Sequence, residues 1–200
     1  ISNWENQKEI SEKVKNIQIE DLLERNPIIL DNKTISKDLK DKTILITGAA
    51  GSIGSEIVRQ VIQFKPHSIV LVDQGETPLH QLTLELETIV TDSNLHSVIA
   101  DVRNKEVMRR VFKTYSPQVV YHAAAYKHVP LMEENPSQAI QTNVEGTKNV
   151  ADLACEFKVK KFVMVSTDKA VNPSNVMGAS KRIAEKYVQS LQLRSVKENN

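Results

Sequence analysis

One glycine-rich segment of the chain has the composition of a phosphate-binding loop. It reads Thr47-Gly48-Ala49-Ala50-Gly51-Ser52-Ile53-Gly54 and holds three of the six glycines in the chain. Glycine permits a tight turn at the first position, close approach of backbone to a ligand at the second, and close helix–strand packing at the third. A helix that begins in this loop directs free N–H groups and the positive end of its dipole at a diphosphate. The segment therefore predicts contacts to a dinucleotide from Gly48, Gly51, Ser52, Ile53 and Gly54.

An aspartate follows the next apolar run at the spacing of a ribose-binding acid. Asp73 ends the run Leu71-Val72-Asp73, about 25 residues after Gly48. A carboxylate there accepts hydrogen bonds from both adenosine ribose hydroxyls and repels a 2′-phosphate. Residues 74–79 contain no Arg or Lys that could hold such a phosphate. The sequence therefore favours NAD over NADP as cofactor, with a helix N-cap before Pro78 as the competing role of Asp73.

An acid and a lysine lie side by side later in the chain. Asp168 and Lys169 follow the hydroxyl residue Thr167 and come after another apolar run. If that run is a parallel strand, the pair lies at the strand's carboxyl end, where ligands bind in open α/β sheets. A carboxyl that acts as an acid near neutral pH needs a raised pKa, and partial desolvation under a ligand shifts it that way. Charge pairing with a neighbouring lysine opposes the shift, so the two groups are expected to titrate together. A solvent-exposed pair on a loop is the alternative.

Short apolar runs and longer amphipathic segments alternate along the chain and must position these residues. Five runs rich in β-branched residues predict strands at 43–47, 68–72, 95–100, 118–121 and 161–165. Helices are predicted at 52–64, 78–91, 105–115, 131–157 with a break near Pro136, and 176–193. This alternation predicts a parallel sheet with helices on both faces, a doubly wound Rossmann-type α/β fold. Asp101-Val102 after the third run is then placed to meet an adenine edge, although Asp101 could equally be a plain loop residue.

Residues 1–40 differ in character, being charged and without strand-like runs. We predict short helices at 9–19 and 19–24 and an extended piece at 27–30, so that 1–40 forms a helical lead-in segment and 41–200 the cofactor-binding domain. Composition is that of a soluble globular protein, with 40% apolar and 26% charged residues and a net charge of +1. This charge gives no case for nucleic acid as a partner. The single cysteine, Cys155, and the lack of Cys/His clusters predict no metal site and a cytoplasmic setting.

Several motifs carry a resemblance to a known enzyme family. The two-residue spacing between the loop glycines resembles the extended short-chain dehydrogenase/reductases. His122-Ala123-Ala124-Ala125, Tyr126-Lys127-His128-Val129-Pro130 and Asp168-Lys169-Ala170-Val171-Asn172-Pro173, with Asn175 to Lys181 behind them, are similar to UDP-N-acetylglucosamine 4,6-dehydratases of bacterial capsule and glycan biosynthesis. The resemblance covers about residues 15–200 and includes the lead-in of the large, membrane-anchored members.

The resemblance implies a reaction and a role for named residues. Such an enzyme oxidises the sugar at C4 with NAD, removes the C5 proton, expels the C6 hydroxyl as water and returns the hydride to C6. Asp168 would be the acid at C6, Lys169 the base at C5, and Lys181 the lysine that binds the nicotinamide ribose. Thr167 would orient or relay the C4 proton, which Asp168 could itself take. Contacts to the cofactor are also expected from Ala123 and Ala124, and contacts to the sugar or its diphosphate from Lys127 and His128, for which a surface role is the alternative.

One residue departs from the pattern of the superfamily. Met177 stands where the Tyr-x-x-x-Lys dyad has its tyrosine, and methionine cannot take a proton. Within this family a methionine there marks the large members, which implies retention at C5. Met177 shapes the pocket or is a packing residue, and Tyr187 lies too far along the helix to replace the tyrosine. Asn143 resembles the superfamily asparagine that stabilises the active-site helix.

The sequence thus predicts the NAD-binding part of a nucleotide-sugar 4,6-dehydratase whose sugar-binding part is absent. A nucleotide-sugar epimerase and a catalytically silent NAD-binding domain are the alternatives, the second because of Met177. The resemblance also implies a UDP-sugar substrate, a homo-oligomer and a membrane anchor before the lead-in. The 200-residue chain is expected to bind NAD even if it does not turn over substrate.

Overall fold

The computed structural model describes residues 31–90 and 94–198, with side chains described as far as residue 194. The predicted elements within residues 1–30 lie outside these ranges. Residues from Ile35 onward form one compact unit. The first described helix is α1, Asn32–Leu39. None of the described helices is both long and apolar enough to cross a bilayer.

Five parallel strands form the centre of the fold. They are β1 (Thr43–Thr47), β2 (Ser68–Asp73), β3 (Asn94–Ile99), β4 (Val119–His122) and β5 (Lys161–Met164), in the spatial order β3-β2-β1-β4-β5. The chain moves outward from β1 in one direction and then returns to its other side, so the order reverses between β1 and β4. A ligand crevice forms at such a switch point, outside the carboxyl ends of the strands.

Helices and two tighter turns connect the strands. The helices are α2 (Ser52–Ile62), α3 (Glu76–Glu87), α4 (Lys105–Tyr115), α5 (Val129–Glu134), α6 (Pro136–Ala139), α7 (Thr147–Glu156) and α8 (Val176–Glu198). A π-helical segment, Ile140–Gly146, joins α6 to α7, and a 3₁₀ turn, Asp168–Ala170, follows β5. The doubly wound Rossmann-type fold predicted from the alternation of runs is confirmed.

Each face of the sheet has its own apolar core because neighbouring strand residues point to opposite sides. Ile44 and Ile46 of β1 pack with α2 and α3, in a cluster that includes Val58, Leu79, Leu82 and Leu86. Leu45, between them, points to the other face and packs with α4 and α7, in a cluster that includes Met108, Phe112, Val150 and Leu153. All three β1 residues are fully buried. The sheet is thus covered on both sides, and its carboxyl edge is left free for a ligand.

Four of the predicted helices differ in their bounds from those observed: the predicted 52–64 ends at Ile62, and the predicted 176–193 continues to Glu198. Helix α3 begins at Glu76, two residues before the predicted start at Pro78, because a proline in the first turn needs no hydrogen-bond partner for its nitrogen. It also ends at Glu87, four residues early. The predicted helix 131–157 is broken at Asn135 before Pro136, as expected, but it also contains a π-helical segment that the periodicity did not reveal.

Candidate functional site

Two neighbouring cavities lie along the carboxyl edge of the sheet. The first, of about 250 Å³, is lined by the glycine loop and by residues after β2, β3 and β4, among them Gly51, Asp73, Asp101, Val102 and Ala124. The second, of about 300 Å³, is lined by residues after β4 and β5 and on α8, among them Ile53, Lys127, Thr167, Lys169, Met177 and Lys181. Ala123, Ala125 and Tyr126 line both. The two cavities therefore form one elongated cleft, and it gathers most of the predicted site residues.

Each glycine of the loop meets a different spatial limit. Gly48 has a φ of +65°, and a Cβ there would lie 2.6 Å from the backbone of Ala124. A Cβ on Gly54 would lie 1.9 Å from the carbonyl oxygen of Gly48, which fixes how closely α2 packs on the loop. A Cβ on Gly51 would meet only that same oxygen, at 3.2 Å. Gly51 precedes α2 without a side-chain cap, so the first-turn N–H groups are available to an anion.

Asp73 ties the glycine loop to the end of β2. One carboxylate oxygen accepts the N–H of Ala50 at 3.0 Å, and the other accepts the N–H of Gly75 at 2.9 Å. Gly75, not Asp73, occupies the N-cap position of α3, so the capping alternative is wrong. Asp73 lines the first cavity beside the loop, where the ribose-binding prediction requires it.

The segment after β3 is braced by residues that the sequence analysis did not single out. The guanidinium of Arg103 donates to Asp101 at 2.7 Å and to Gln138 at 3.0 Å. This guanidinium keeps the pKa of the Asp101 carboxyl below its usual value. The side chain of Asn149 donates to the carbonyl of Val102 at 3.1 Å. Asp101 and Val102 are therefore held in fixed positions at the wall of the first cavity.

Thr167, Asp168 and Lys169 form a hydrogen-bonded group, of which Thr167 and Lys169 line the second cavity whereas Asp168 lines neither cavity. The Thr167 hydroxyl donates to Asp168 Oδ1 at 2.9 Å, and Lys169 Nζ donates to the same oxygen at 3.2 Å. The Asp168 side chain is 84% exposed. The Thr167 hydroxyl, and after it the Lys169 ammonium, lower the pKa of Asp168. Without a bound ligand this carboxyl is thus set up as a carboxylate, the opposite of the raised pKa expected for an acid.

Lys181 is almost enclosed at the junction of α8 and β5. The residue is 5% exposed, and its Nζ donates to the carbonyl of Val165 at 2.6 Å. Burial lowers the pKa of Lys181 to about 8, although the negative charge of Glu185 opposes this shift. A lysine in this position provides directed N–H groups and a charge that little water screens.

Met177 belongs to a small apolar cluster as well as to the cavity wall. It is 3% exposed and packs with Met132, Ala139 and Tyr126. The packing role and the pocket-shaping role considered for it are therefore compatible. Tyr187 points elsewhere, with its hydroxyl donating to Asp152 at 2.5 Å.

Asn143 connects the segment after β4 to α8. Its amide oxygen accepts the N–H of Tyr126 at 2.8 Å, while its amide nitrogen donates to the carbonyl of Tyr126 at 3.0 Å and to the hydroxyl of Ser180 at 2.9 Å. The side chain is fully buried in the π-helical segment. Because Ser180 precedes Lys181, this amide helps to set the position of the lysine.

Of the two residues predicted to contact sugar or diphosphate, one lies at the cleft. Lys127 lines the second cavity. Its Nζ donates to the hydroxyl of Ser52 at 2.8 Å and so links the segment after β4 to the start of α2. His128 is exposed at the N-cap position of α5 and lines neither cavity.

A buried histidine that the sequence analysis treated only as part of a motif lies beneath the cleft. His122, at the end of β4, is fully buried; its Nδ1 lies 2.7 Å from the hydroxyl of Thr47 and its Nε2 lies 2.9 Å from that of Thr147. Burial lowers the pKa of His122 to about 3, so the ring is neutral. The threonine before the glycine loop and the threonine after the π-helical segment are thereby joined. Only the position of His122 at a strand end could have indicated this in the sequence.

The model of a family described as "Polysaccharide biosynthesis protein" matches residues 44–200. The chain belongs to this family. It is 56% identical to the "Capsular polysaccharide biosynthesis protein CapD" of Staphylococcus aureus, over 89% of this chain and 30% of that protein. It is 40% identical to a "UDP-N-acetylglucosamine 4,6-dehydratase (inverting)" of Campylobacter jejuni, over 72% of this chain and 42% of that protein. It is also 37% identical to a "UDP-glucose 4-epimerase" of Rickettsia canadensis, over 79% of this chain and 46% of that protein.

Solved structures agree with this assignment. The structure of Pen from Bacillus thuringiensis is 37% identical and superimposes with a TM-score of 0.70, over 76% of this chain and 45% of that one. The chain spans about a third of the length of CapD, and less than half of the other relatives named above. The predicted family is confirmed, and its named relatives include a nucleotide-sugar dehydratase and a nucleotide-sugar epimerase.

Proposed function

We propose that the cleft binds NAD and that the whole protein is a UDP-N-acetylglucosamine 4,6-dehydratase. The observation that carries the reaction is the hydrogen-bonded group of Thr167, Asp168 and Lys169. Two of its members, Thr167 and Lys169, line the cavity that Lys181 also lines. An acid and a base side by side are what an elimination requires. A simple epimerisation needs no separate pair to remove a C5 proton and a C6 hydroxyl.

The residues of the first cavity fit the adenosine diphosphate half of NAD. The uncapped N-terminus of α2, next to Gly51, suits a diphosphate, and the carboxylate of Asp73 suits the ribose hydroxyls. Asp101 and Val102 form the wall that an adenine edge would meet. The Lys127 ammonium, within reach of Ser52, adds positive charge where the two cavities meet, as a diphosphate there would require.

The second cavity then receives the nicotinamide half and the sugar. NAD, when bound, supplies the acceptor for the hydride that leaves C4 of the sugar. Lys181, beneath this cavity, is placed to hold the nicotinamide ribose. Met177 offers no proton acceptor, so the proton of the C4 hydroxyl needs another destination.

The ionised carboxylate of Asp168 supplies that destination. As a carboxylate, oriented by the Thr167 hydroxyl, Asp168 accepts the C4 hydroxyl proton during oxidation. The same group is now a carboxylic acid, and it returns the proton to the C6 hydroxyl, which leaves as water. Lys169, once it has given up its ammonium proton, removes the C5 proton between these events, and it returns a proton to C5 when the hydride adds to C6. One carboxyl thus serves as base and then as acid, and no permanently raised pKa is needed.

This proposal is tested with the full-length protein and UDP-N-acetylglucosamine in deuterated water, followed by NMR and mass spectrometry. We expect loss of one water and deuterium at C5. Asp168→Asn and Lys169→Ala should each lower turnover by roughly 100-fold or more, while Lys186→Ala, an exposed lysine on α8, should leave it unchanged. An epimer formed without water loss would assign the protein to the epimerases, the class of one named relative. Unchanged sugar beside tight NAD binding would favour the silent domain that Met177 suggests.

A further inference from the structure

Helix α8 holds the loop after β5 at two successive residues. Lys181 donates to the carbonyl of Val165, and one helical turn further on Glu185 accepts the hydroxyl of Ser166 at 2.5 Å. Residues four apart lie on the same face of a helix, so both contacts come from one side of α8. Directly after them come Thr167 and the acid–lysine pair. The position of that pair relative to the cleft therefore depends on these two contacts.

We propose that Glu185 is a positioning residue of the site, which fixes the loop after β5 through Ser166. Its carboxylate makes its direct ion pair with Arg182, at 3.2 Å, and from the same face of α8 it also serves, beyond ion-pair distance, as the counter-ion of Lys181. For its effect on turnover this inference rests on the proposed function. The electrostatic part requires neither cofactor nor sugar.

The charges around Lys181 support the counter-ion role. Glu185 is held as a carboxylate, since the hydroxyl of Ser166, and after it the guanidinium of Arg182, lower its pKa. It interacts electrostatically with the Lys181 ammonium and opposes the effect of burial. From the sheet side the Lys181 ammonium faces the titratable group His122, on whose pKa it acts, and burial keeps that ring uncharged. Of the described residues that act on this ammonium, Glu185 is the one with a negative charge.

Two variants separate the tether from the charge. Glu185→Gln keeps an oxygen that can accept from the Ser166 hydroxyl but removes the charge. Ser166→Ala keeps the charge but removes the tether. Glu106→Gln is the matched control, because Glu106 also pairs with an arginine three residues away on its helix, at 3.7 Å.

The charge is tested by following the Lys181 side chain with NMR during a pH titration of this chain without ligand. We expect Glu185→Gln to move the midpoint of Lys181 downward by about one pH unit, and Ser166→Ala and Glu106→Gln to leave it in place. Dispersed spectra show that each variant is folded. An unchanged midpoint in folded Glu185→Gln would overturn the counter-ion role.

The tether is tested in the full-length protein by turnover at pH 6.5, where Lys181 is protonated in every variant. Ser166→Ala should lower the rate roughly tenfold, because a small displacement of the acid–lysine pair is costly. Glu185→Gln should lower it less. An unchanged rate in Ser166→Ala, in a protein that dehydrates its substrate normally, would overturn the positioning role. Absence of dehydration in the unmodified protein would instead contradict the proposed function, and the titration result would stand.

Discussion

Lys181 shows how a single functional residue can reduce the stability of the fold. Its ammonium is nearly enclosed, and burial lowers its pKa from 10.5 to about 8. A shift of that size corresponds to roughly 3 kcal/mol of cost for keeping the charge at neutral pH. The hydrogen bond to Val165 offsets about 1 to 2 kcal/mol of this. Under the proposed function, the remainder is the cost of a directed cation beneath the cleft.

Replacing this lysine should therefore stabilise the protein while removing its function. We expect Lys181→Met to raise the free energy of unfolding at pH 7 by about 1 to 2 kcal/mol and to weaken NAD binding. The folded lysine loses its proton near pH 8 and the unfolded one near 10.5, so the stability of the unmodified protein rises with pH between these values. The difference in free energy of unfolding between Lys181→Met and the unmodified protein should therefore decrease over the same pH range. Urea unfolding at pH 7 and pH 10 measures this, with Lys186→Met as an exposed control; a variant less stable at pH 7 would contradict it.

His122 makes the opposite contribution to stability. The Thr147 hydroxyl donates to the carbonyl of Asn143 at 2.7 Å, so it must accept from the Nε2–H of His122. Nδ1 then accepts the Thr47 hydroxyl. The hydrogen bonds in this side-chain series therefore each have a fixed direction. A second ring proton, on Nδ1, would oppose the hydrogen bond that Thr47 donates to the ring.

Acid should accordingly weaken the fold through this ring. The folded His122 takes up a proton only near pH 3 and the unfolded one near 6.5, so its contribution is complete above pH 6.5 and declines as the pH falls toward 3. We expect the free energy of unfolding of His122→Gln to be lower than that of the unmodified protein at pH 7.5. At pH 4.5 the difference between these two free energies should be smaller by roughly 2 to 3 kcal/mol. Denaturant unfolding at both pH values tests this. The exposed His80→Gln should show no such narrowing, and an equal gap at both pH values for His122→Gln would refute the argument.

At the scale of elements, the glycine loop separates packing from ligand binding. Gly54 lies against the Gly48 carbonyl, so an added methyl group would push α2 off the loop. Gly51 has room for that group apart from a 3.2 Å contact. Gly54 therefore serves the helix packing, and Gly51 leaves the space that a diphosphate would occupy under the proposed function.

Alanine at these two positions should separate the two effects. We expect Gly54→Ala to destabilise the fold by about 3 kcal/mol, since overpacking against backbone leaves no easy relaxation, and to abolish NAD binding with it. Gly51→Ala should change stability by less than about 1 kcal/mol but lower NAD affinity at least tenfold, because the methyl group occupies the cradle. Calorimetric titration with NAD, beside thermal unfolding, distinguishes them. Unchanged NAD affinity in Gly51→Ala would place the diphosphate elsewhere.

The bounds of secondary-structure elements are predictable from the sequence where local patterns decide the structure. Strand β1 and helix α4 occur at their predicted bounds. A run of β-branched residues determines the strand, and an amphipathic stretch capped by Asn104 determines the helix, without any contact from distant residues. The prediction that Asp73 and Lys181 would meet one cleft is also consistent with the structure, since both follow from the parallel topology.

The rest depends on contacts between distant residues, which no local pattern encodes. Glu133 reads as an ordinary surface charge in the sequence, yet its carboxylate accepts the N–H of Val176, at the start of α8, at 2.7 Å. Glu185 and Arg103 likewise read as ordinary surface charges in the sequence. Their partners, Ser166 and Gln138, lie 19 and 35 residues away. The pKa direction of Asp168 was also inaccessible, because it depends on side-chain geometry within the loop.

At the scale of the whole molecule, the two ends of the sheet have different tasks. The carboxyl end holds the cleft, and among the described glycines Gly48 has the positive φ. The amino end has non-glycine residues with positive φ just before four of the strands, namely Asp41, Lys65, Ser116 and Lys158. A left-handed backbone conformation costs an ordinary residue about 1 to 2 kcal/mol. This strain lies in the entry turns, far from the predicted chemistry.

This backbone strain should therefore be removable without loss of NAD binding. Ser116 (φ 46°) follows α4 and Lys158 (φ 56°) follows α7. Both have the left-handed backbone conformation that glycine adopts most easily. We expect the double variant Ser116→Gly, Lys158→Gly to raise the free energy of unfolding by about 1 kcal/mol, after the greater chain entropy of glycine is subtracted. Its NAD affinity should be unchanged, because both turns lie at the end of the sheet opposite the cleft. Gln63→Gly, at a helix end with a φ of −61°, is the control and should destabilise. Denaturant unfolding and calorimetric NAD titration measure the two quantities, and a gain in stability accompanied by weaker NAD binding would show that the two ends of the sheet are energetically coupled.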